Sequence, residues 1–338
     1  MPAGQTTRSD RPRSDDNGWL ITDNLLDMKF AIIGAGGVGG YFGVRLLQAG
    51  HDVSFIARGR TLQALRTNGL KLESIAGDAY LPKIHATDDA KTIGPVDIAF
   101  VAVKTWHLND VKHHLAPLVA AGDSAVVSLM NGVDSYDELS EVVGPRHVIG
   151  GLCAISAFVV EPGHIKHTAV TPMVAVGEWD NRKTARVEQL GEALKGAGVE
   201  TRLPPNIQVA IWNKFMFIAS VGGVGGVTRV PIGVIRTVAE SRSLLTRAIE
   251  EIAALARAHN VPVGQEQIEE TWKFVDGVPP GTTASMQRDV IEGKPSELRE
   301  MSGAVVRLAK QKNVSTPVHE FVYSALLPQE MKARGEIR

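Results

Sequence analysis

The chain has 338 residues, a formal net charge of −1 and a single cysteine, Cys153. This length suffices for two domains, and the balanced charge provides no long-range field that would attract nucleic acid or an anionic membrane. One cysteine excludes an internal disulfide, and no uninterrupted apolar stretch reads as a membrane span. We therefore expect a soluble, cytoplasmic protein with a small-molecule partner.

The first 27 residues are polar and rich in serine, aspartate and arginine. They lack the apolar core of a signal peptide, and their acidic residues are atypical of a transit peptide. This composition predicts a disordered extension over residues 1–27, so we expect the folded chain to begin near Met28.

The stretch KFAIIGAGGVGGYFGVRLLQAGHDVSFIARGR, which starts at Lys29, has the pattern of a strand, a glycine-rich turn, a helix and a second strand. Its glycines follow the first strand in the spacing G-x-G-x-x-G. In this motif one glycine permits a tight turn, the next admits a pyrophosphate, and the third allows the helix to pack on the strand. The sequence predicts a dinucleotide-binding turn formed by Gly34, Gly36, Gly37, Val38 and Gly39.

The end of the second strand indicates which dinucleotide is favoured. An acidic residue there would accept the ribose 2′-hydroxyl, whereas arginine suits a 2′-phosphate. The chain has no carboxylate at this point, and Arg58 and Arg60 follow the strand. This pattern favours NADP(H). The alternative is that either arginine is a solvated residue at the start of the next helix.

Two apolar segments, 97–104 and 124–132, predict further strands, and the segment between them has a helical pattern from Trp106 to Ala120. Alternating strands and helices predict a parallel, doubly wound sheet, whose ligands bind beyond the carboxyl ends of the strands. We therefore expect Lys104, Thr105 and Asn131, which fall at these ends, to contact cofactor or substrate.

From about Asn206 the strand patterns stop and helical periodicity takes over, most clearly over residues 241–260. The sequence predicts an α/β Rossmann-like, doubly wound parallel-sheet domain over residues 28–205. An all-α helical domain follows over residues 206–338. The glycine-rich stretch 221–226 has no strand before it, so it predicts close helix contact and not a second phosphate-binding turn.

Lys214 interrupts the apolar stretch IWNKFMFIASVGGVGG, which starts at Ile211. Helical spacing places Lys214 on one stripe with Ile211 and Ile218. A buried, unpaired ammonium is costly, so the lysine needs a carboxylate, a ligand or a water-filled cleft nearby. The alternative is that its side chain extends to solvent.

A carboxylate has a similar position in KPSELREMSGAVVRLAKQKN, where Ser296 resembles a helix N-cap. Glu297 shares a helical stripe with Met301, which predicts that it lies on the core side. Its alternative role is to stabilise the helix dipole from the first turn, by about 0.3 to 1 kcal/mol. A nicotinamide-type site, a lysine in an apolar helix and this glutamate together suggest a carbonyl reductase.

From about Met28 to about Leu327 the sequence resembles the ketopantoate reductase (2-dehydropantoate 2-reductase) family. The motifs GAGGVGG, AVKTW, NGV, WNK, ASMQRD and SELREMSG occur in the family's order. The resemblance implies a Rossmann domain, a helical domain and a substrate cleft between them. It also implies that NADPH reduces the keto group of 2-dehydropantoate to give pantoate for coenzyme A synthesis.

The resemblance implies roles for individual residues. Lys214 matches the family's general acid, and Glu297 matches the carboxylate that holds both the substrate hydroxyl and the lysine. Asn131 matches a group that positions both and also contacts the cofactor. Ser285 matches a donor to the substrate carboxylate, and Asp289 is a further candidate for substrate binding.

Arg58 and Lys104 match positions that recognise the phosphate side of NADP, in agreement with the argument from the strand end. The sequence departs from the family at Ile218 and Gly222, where the family has asparagines that contact the substrate. Losing two polar contacts should alter substrate preference more than hydride transfer.

Two alternatives remain beside ketopantoate reduction. An NADPH-dependent reductase of a different branched 2-keto acid fits the departures from the family better. A non-catalytic, NADPH-sensing regulator is the alternative from another class, because a fold alone does not establish chemistry. The histidines and acidic residues show no metal-site spacing, and the helical domain could supply a homodimer surface.

Overall fold

The computed structural model describes residues 27–119 and 122–338. The predicted N-terminal extension therefore lies outside the described residues, except for Asp27. Over the described part of the chain the strands form one ten-stranded sheet, in the order β4-β3-β9-β8-β7-β6-β1-β2-β5 with β10 beside β9. The strands are β1 (Lys29–Ile33), β2 (Asp52–Ile56), β3 (Leu70–Ser74), β4 (Ala79–Leu81), β5 (His85–Thr87), β6 (Ile98–Val101), β7 (Ala125–Ser128), β8 (Val148–Glu161), β9 (His164–Gly177) and β10 (Glu200–Arg202).

The centre of the sheet is parallel. Strand β1 pairs in parallel with β2 and β6, and β7 continues the parallel order between β6 and β8. The long strands β8 and β9 form an antiparallel pair that carries β3 and β10 on its far side. The doubly wound α/β domain predicted from the sequence is confirmed, with this antiparallel extension added.

Helices cover both faces of the sheet. They are α1 (Gly37–Gln48), α2 (Gly59–Asn68), α3 (Leu108–Val111), α4 (Leu115–Leu118), α5 (Ser135–Val143) and α6 (Ala185–Gly196). Phe30 and Ile32 of β1 pack in the core that includes helices α1 and α6, whereas Ala31 and Ile33 face the core beneath α3, α4 and α5. Because β1 is buried on both faces, it is apolar along its whole length.

The helix predicted between residues 106 and 120 is broken in the structure. Two 3₁₀ turns, Thr105–His107 and Lys112–His114, alternate with the short helices α3 and α4. Pro117 within α4 has no N–H to donate, which disfavours a continuous helix. Residue 120 lies outside the described residues. The predicted strands at 97–104 and 124–132 are present but shorter, as β6 and β7.

The helical domain follows β10. It comprises α7 (Ile207–Thr228), α8 (Ile232–Thr237), α9 (Ala239–Ala258), α10 (Gln265–Gly277), α11 (Ser285–Ile291), α12 (Ser302–Lys312) and α13 (Pro317–Ala333). Helix α7 is at its centre and packs against α9, α11 and α13. An added Cβ at Gly223 would lie 3.0 Å from Val322, and one at Gly225 would lie 2.6 Å from Gln287. The glycine stretch therefore permits close helix contact, as predicted.

Contrary to the expectation that no stretch could span a membrane, helix α7 is long and apolar enough to do so by length and composition alone. In the structure, 61% of its most apolar window is buried. Its apolar side chains pack against the other helices of this domain and against strands β8 and β9. This burial is typical of the core helix of a globular domain.

Helix α13 is anchored at its first turn by α9. The carboxylate of Glu251 accepts hydrogen bonds from the backbone amides of Val318, at 2.8 Å, and His319, at 3.0 Å. These amides have no partner within the helix, so the carboxylate acts as a cap. The buried imidazole of His319 donates from Nε2 to the carbonyl of Ala248, and burial lowers the pKa of His319 to about 4.

The pKa of His319 predicts a specific loss of stability in acid. An unfolded histidine takes up its proton near pH 6.5, whereas folded His319 stays neutral until about pH 4. The folded state therefore loses stability as the pH falls from 6.5 towards 4. In urea unfolding, we expect the free energy of unfolding of His319→Gln to fall by about 2 kcal/mol less than that of the wild type between pH 7 and pH 5. Parallel curves for the two proteins would refute the assignment, and the exposed His113→Gln serves as control.

Candidate active site

The glycine-rich turn leaves space at one position. A Cβ at Gly34 would lie 2.8 Å from Val103, and one at Gly39 would lie 2.1 Å from the carbonyl oxygen of Gly34. A Cβ at Gly37 would lie 2.5 Å from the carbonyl oxygen of Ala157, whereas one at Gly36 would meet nothing within 4 Å. Gly34, Gly37 and Gly39 are therefore required for packing, and Gly36 borders open space.

Helix α1 begins at Gly37, and no side chain among the described residues caps it. The first-turn amides, those of Gly37 and Val38 among them, are left to bind an anionic group, and the helix dipole favours negative charge there. Open space beside Gly36 and an uncapped helix start fit the pyrophosphate of a dinucleotide.

Arg58 lies two residues after β2 and precedes α2. Its Nη2 is 3.0 Å from Asp110 Oδ2, and the Nδ1 of His107 is 2.9 Å from the same oxygen. Hydrogen bonds from His107 and Arg58 hold the pKa of Asp110 below its ordinary value. A 2′-phosphate would therefore compete with Asp110 for an arginine side chain that is 66% exposed. Asp110 could not be recognised from the sequence as the partner of Arg58, because the two residues are 52 positions apart along the chain.

Glu297, in the helical domain, accepts hydrogen bonds from side chains of the Rossmann domain. Asn131, after β7, donates from Nδ2 to Glu297 Oε2 at 2.9 Å, and Thr105, after β6, donates to Glu297 Oε1 at 3.4 Å. The carboxylate is only 4% exposed, so the prediction that it lies on the core side is confirmed. Each of its oxygens receives one hydrogen bond from the Rossmann domain.

The helix predicted to start at Ser296 begins instead at Ser302, so Glu297 lies in a turn before α12. Ser296 is not the N-cap of α12, because that helix begins only at Ser302. Its backbone N–H and its Oγ both donate to the buried carboxylate of Glu330, at 2.6 to 3.1 Å. The Oγ of Ser296 also accepts from the amide of Leu298 at 3.3 Å. Glu297 therefore lies outside the first turn of α12 and does not act on its dipole from there.

Lys214 lies at the junction of the two domains. Ile207 and Ile211, which share its stripe on α7, pack against Leu152 of β8 and Ala175 of β9. The side chain of Lys214 is half-buried, and it forms no ion pair with any described residue. Ile207 and Ile211 therefore form the contact between α7 and the Rossmann domain. Lys214 lies about one turn further along the same stripe of α7.

The charges of Lys214 and Glu297 act on one neighbour, Cys153 of β8. Burial raises the pKa of this thiol, the Lys214 charge lowers it, and the Glu297 charge raises it further. The thiol donates to the carbonyl of Leu129 at 3.3 Å. Both charges act on the same buried thiol, so Lys214 and Glu297 both lie near Cys153.

Helix α11 provides the other wall of this region. Ser285 is its first residue and is exposed, and Asp289 follows one turn later on the same face. Asp289 Oδ2 lies 3.8 Å from Lys104 Nζ, after β6. Burial raises the pKa of Asp289, Lys104 opposes this shift, and Glu297 adds to it. The face of Ser285 and Asp289 is therefore directed towards the carboxyl ends of the parallel strands.

The two departures from the family pattern have a structural counterpart. An added Cβ at Gly222 would lie 3.2 Å from the end of Met286, so α11 occupies the space beside this residue. Ile218, one turn earlier on α7, is half-buried. Neither position offers a polar group to a ligand.

These elements define a class of protein: a two-domain, dinucleotide-dependent oxidoreductase. Within the described residues no group of three or more histidine, cysteine, aspartate or glutamate side chains could hold a metal ion. The glycine-rich turn is the place where a nicotinamide dinucleotide would bind.

Comparison with known proteins identifies the family. The sequence model of the family described as ketopantoate reductase PanE/ApbA matches residues 30–181. The family model of its C-terminal region matches residues 206–330. The chain belongs to the ketopantoate reductase family. Its members are oxidoreductases that use a nicotinamide dinucleotide, so a non-catalytic regulator is set aside.

Individual relatives cover nearly the whole chain. An uncharacterized oxidoreductase, YkpB, of Bacillus subtilis (strain 168) is 31% identical over 88% of this chain and 98% of its own. The crystal structure of 2-dehydropantoate 2-reductase from Geobacter metallireducens GS-15 is 28% identical, with a TM-score of 0.81 over 89% of this chain and 99% of that one. D-mandelate dehydrogenase with NADH and anilino(oxo)acetate shares the fold at 22% identity, with a TM-score of 0.81 over 91% of this chain and 99% of that one.

The space beside Gly36 yields a test of dinucleotide binding. Gly36→Ala adds a methyl group where the protein has no atom within 4 Å, so folding should be unaffected. The methyl would meet the pyrophosphate, and we expect the Kd of both NADPH and NADH to rise at least about tenfold, by fluorescence titration. Gly39→Ala is the matched control and should instead lower the melting temperature, because its methyl collides with backbone. Unchanged dinucleotide affinity in Gly36→Ala would contradict this placement.

Proposed function

We propose that the protein reduces 2-dehydropantoate to pantoate with NADPH, and that the region between the two domains is the active site. The observation that carries this proposal is that Lys214 and Glu297 both lie near the Cys153 thiol, and that Glu297 is bound by Asn131, which follows a strand of the dinucleotide-binding sheet. The name of the solved relative from Geobacter supports the substrate. We also retain a cytoplasmic location and a homodimer as predictions.

Different residues of the site would have different roles in the reduction of a ketone. A nicotinamide dinucleotide held at the glycine-rich turn would supply the hydride to C2 of the keto acid. Negative charge then develops on the carbonyl oxygen, and the ammonium of Lys214 stabilises it and transfers a proton to it, which leaves a hydroxyl group and a neutral amine. Such general acid catalysis contributes about 10² to 10⁴ in rate.

Glu297 and Ser285 would hold the substrate in place for this step. Asn131 and Thr105 occupy one lone pair on each oxygen of Glu297, so the carboxylate has a fixed direction and can still accept from the substrate hydroxyl and from Lys214. The Ser285 hydroxyl, at the exposed start of α11, would donate to the substrate carboxylate. Asp289 forms a 3.8 Å ion pair with Lys104, so we assign Asp289 a role in positioning Lys104 beside the substrate.

A different branched 2-keto acid is the second candidate for the substrate. Ile218 and Gly222 favour it, because the face of α7 near Lys214 offers an apolar side chain and a glycine covered by Met286. An apolar wall favours a substrate without the hydroxyl group of 2-dehydropantoate. The rates of NADPH oxidation with 2-dehydropantoate and with unhydroxylated branched 2-keto acids distinguish the two candidates.

Replacing the general acid tests the mechanism. We expect Lys214→Ala to lower kcat by about 10² or more, because the alkoxide loses its proton donor. The Kd of NADPH should stay within about twofold, since the lysine acts at the carbonyl end of the complex. The exposed Lys310→Ala controls for loss of a positive charge. Wild-type turnover in Lys214→Ala would refute the assignment.

Cofactor preference depends on Arg58 in this proposal. We expect Arg58→Ala to raise the Kd of NADPH about tenfold and to leave that of NADH nearly unchanged, because only NADPH has a 2′-phosphate. Calorimetric titration with both dinucleotides measures the difference, and Arg60→Ala tests the neighbouring arginine. An equal loss for both dinucleotides would remove the phosphate-binding role.

A further inference from the structure

The C-terminal end of α13 holds the turn that carries Glu297. Arg334 follows this helix, and its Nε is 2.5 Å from Glu330 Oε1. Its Nη2 donates to the carbonyl oxygen of Ser296 at 2.8 Å. Glu330 in turn accepts from the backbone N–H and the hydroxyl of Ser296. Both backbone polar groups of Ser296 are therefore bound, one by each partner of an ion pair.

This ion pair is buried. Ser296 is 0% exposed, Glu330 is 2% exposed, and the side chain of Arg334 is 15% exposed. A buried carboxylate without enough donors would be costly, but Glu330 receives hydrogen bonds from both Ser296 and Arg334. The carbonyl group that Arg334 binds belongs to the peptide bond between Ser296 and Glu297. By binding this carbonyl group, Arg334 fixes the orientation of the peptide plane from which Glu297 extends.

Arg334 also contacts the Rossmann domain. Its guanidinium carbon lies 4.7 Å from the centre of the Trp106 ring, a cation–π distance. Trp106 directly follows Thr105, which donates to Glu297, and Lys104 Nζ is 5.4 Å from the same ring. One arginine thus connects the backbone before Glu297 with the segment that supplies a donor to Glu297.

We propose that Trp106, Ser296, Glu330 and Arg334 form an interdomain clasp that positions Glu297 for the reaction. Trp106 and Arg334 are positioning residues, since they act through the Ser296–Glu297 peptide and through Thr105. The inference rests on the proposed reductase function for its effect on turnover. Its effect on the turn itself is independent of the substrate.

The choice of variants follows from the burial of the ion pair. Arg334→Gln leaves Glu330 without its charged partner, beside Glu300, whose pKa burial already raises. It can therefore destabilise the fold. Trp106→Leu removes the aromatic ring beside Arg334 and Lys104 and retains the side chains of Ser296, Glu330 and Arg334. Trp106→Phe keeps a ring for the cation–π contact and should recover part of the effect.

Trp272→Leu is the matched control. The guanidinium carbon of Arg242 lies 4.2 Å from the centre of the Trp272 ring, so this substitution removes a cation–π contact of the same kind from another part of the helical domain. It leaves Trp106, Ser296, Glu330 and Arg334 unchanged. It should keep wild-type kinetics and wild-type exchange of the turn.

The experiment combines steady-state kinetics with hydrogen exchange on the full-length chain. For Trp106→Leu we expect kcat to fall about tenfold or more, while the Kd of NADPH stays within about twofold. Exchange of the peptide that covers residues 295–303 should become at least about tenfold faster. Trp106→Phe should fall between Trp106→Leu and the wild type in both measurements.

The outcomes separate the clasp from the proposed function. Wild-type exchange of residues 295–303 in Trp106→Leu overturns the clasp, whatever its kcat. Equal behaviour of Trp106→Leu and Trp106→Phe overturns the cation–π contact as its basis. If the wild type reduces no 2-keto acid, the proposed function fails, and the exchange measurement still decides whether Trp106 holds the turn.

Discussion

A buried carboxylate that depends on the other domain for its hydrogen bonds is the central constraint of this structure. Glu297 belongs to the helical domain, but the side chains that donate to it, Asn131 and Thr105, come from the Rossmann domain. A buried charge without donors is strongly destabilised. The relative position of the two domains and the direction of this carboxylate are therefore set by the same contacts.

The rest of the site follows from what brings these groups together. The parallel order of β1, β6 and β7 places the residues after each strand along one edge of the sheet. Helix α7 packs on β8 and β9 through Ile207 and Ile211, which brings Lys214 to the same edge. Lys214 and Glu297 thus both lie near Cys153, where the domains adjoin. In the proposed reaction, a ketone bound there would have a hydride donor and a proton donor available.

Features with a local physical cause could be predicted from the sequence. The glycine spacing reflects backbone constraints within a few residues. The apolar run of β1 and the periodicity of α9 each reflect the burial of a single element. Lys214 was found because a charge in an apolar helix is costly wherever the helix packs. Glu297 was found as a core-side carboxylate, although the helix assumed for it begins only at Ser302.

Features that depend on distant partners could not be predicted. The turn at residues 296–301 forms because Glu330, far along the chain, takes the donors of Ser296. Asp110 is recognised as the partner of Arg58 only when the loops after two strands are seen together. Trp106 and Arg334 are more than two hundred residues apart, and their contact has no signature in either local sequence.

The most direct test is a crystal structure of the protein with NADP⁺ and the 2-hydroxy acid product bound. We expect Lys214 Nζ and a Glu297 oxygen both to lie within hydrogen-bond distance of the C2 hydroxyl group, with C2 facing the nicotinamide ring. A product bound elsewhere, or with either side chain directed away from the C2 hydroxyl, would contradict it.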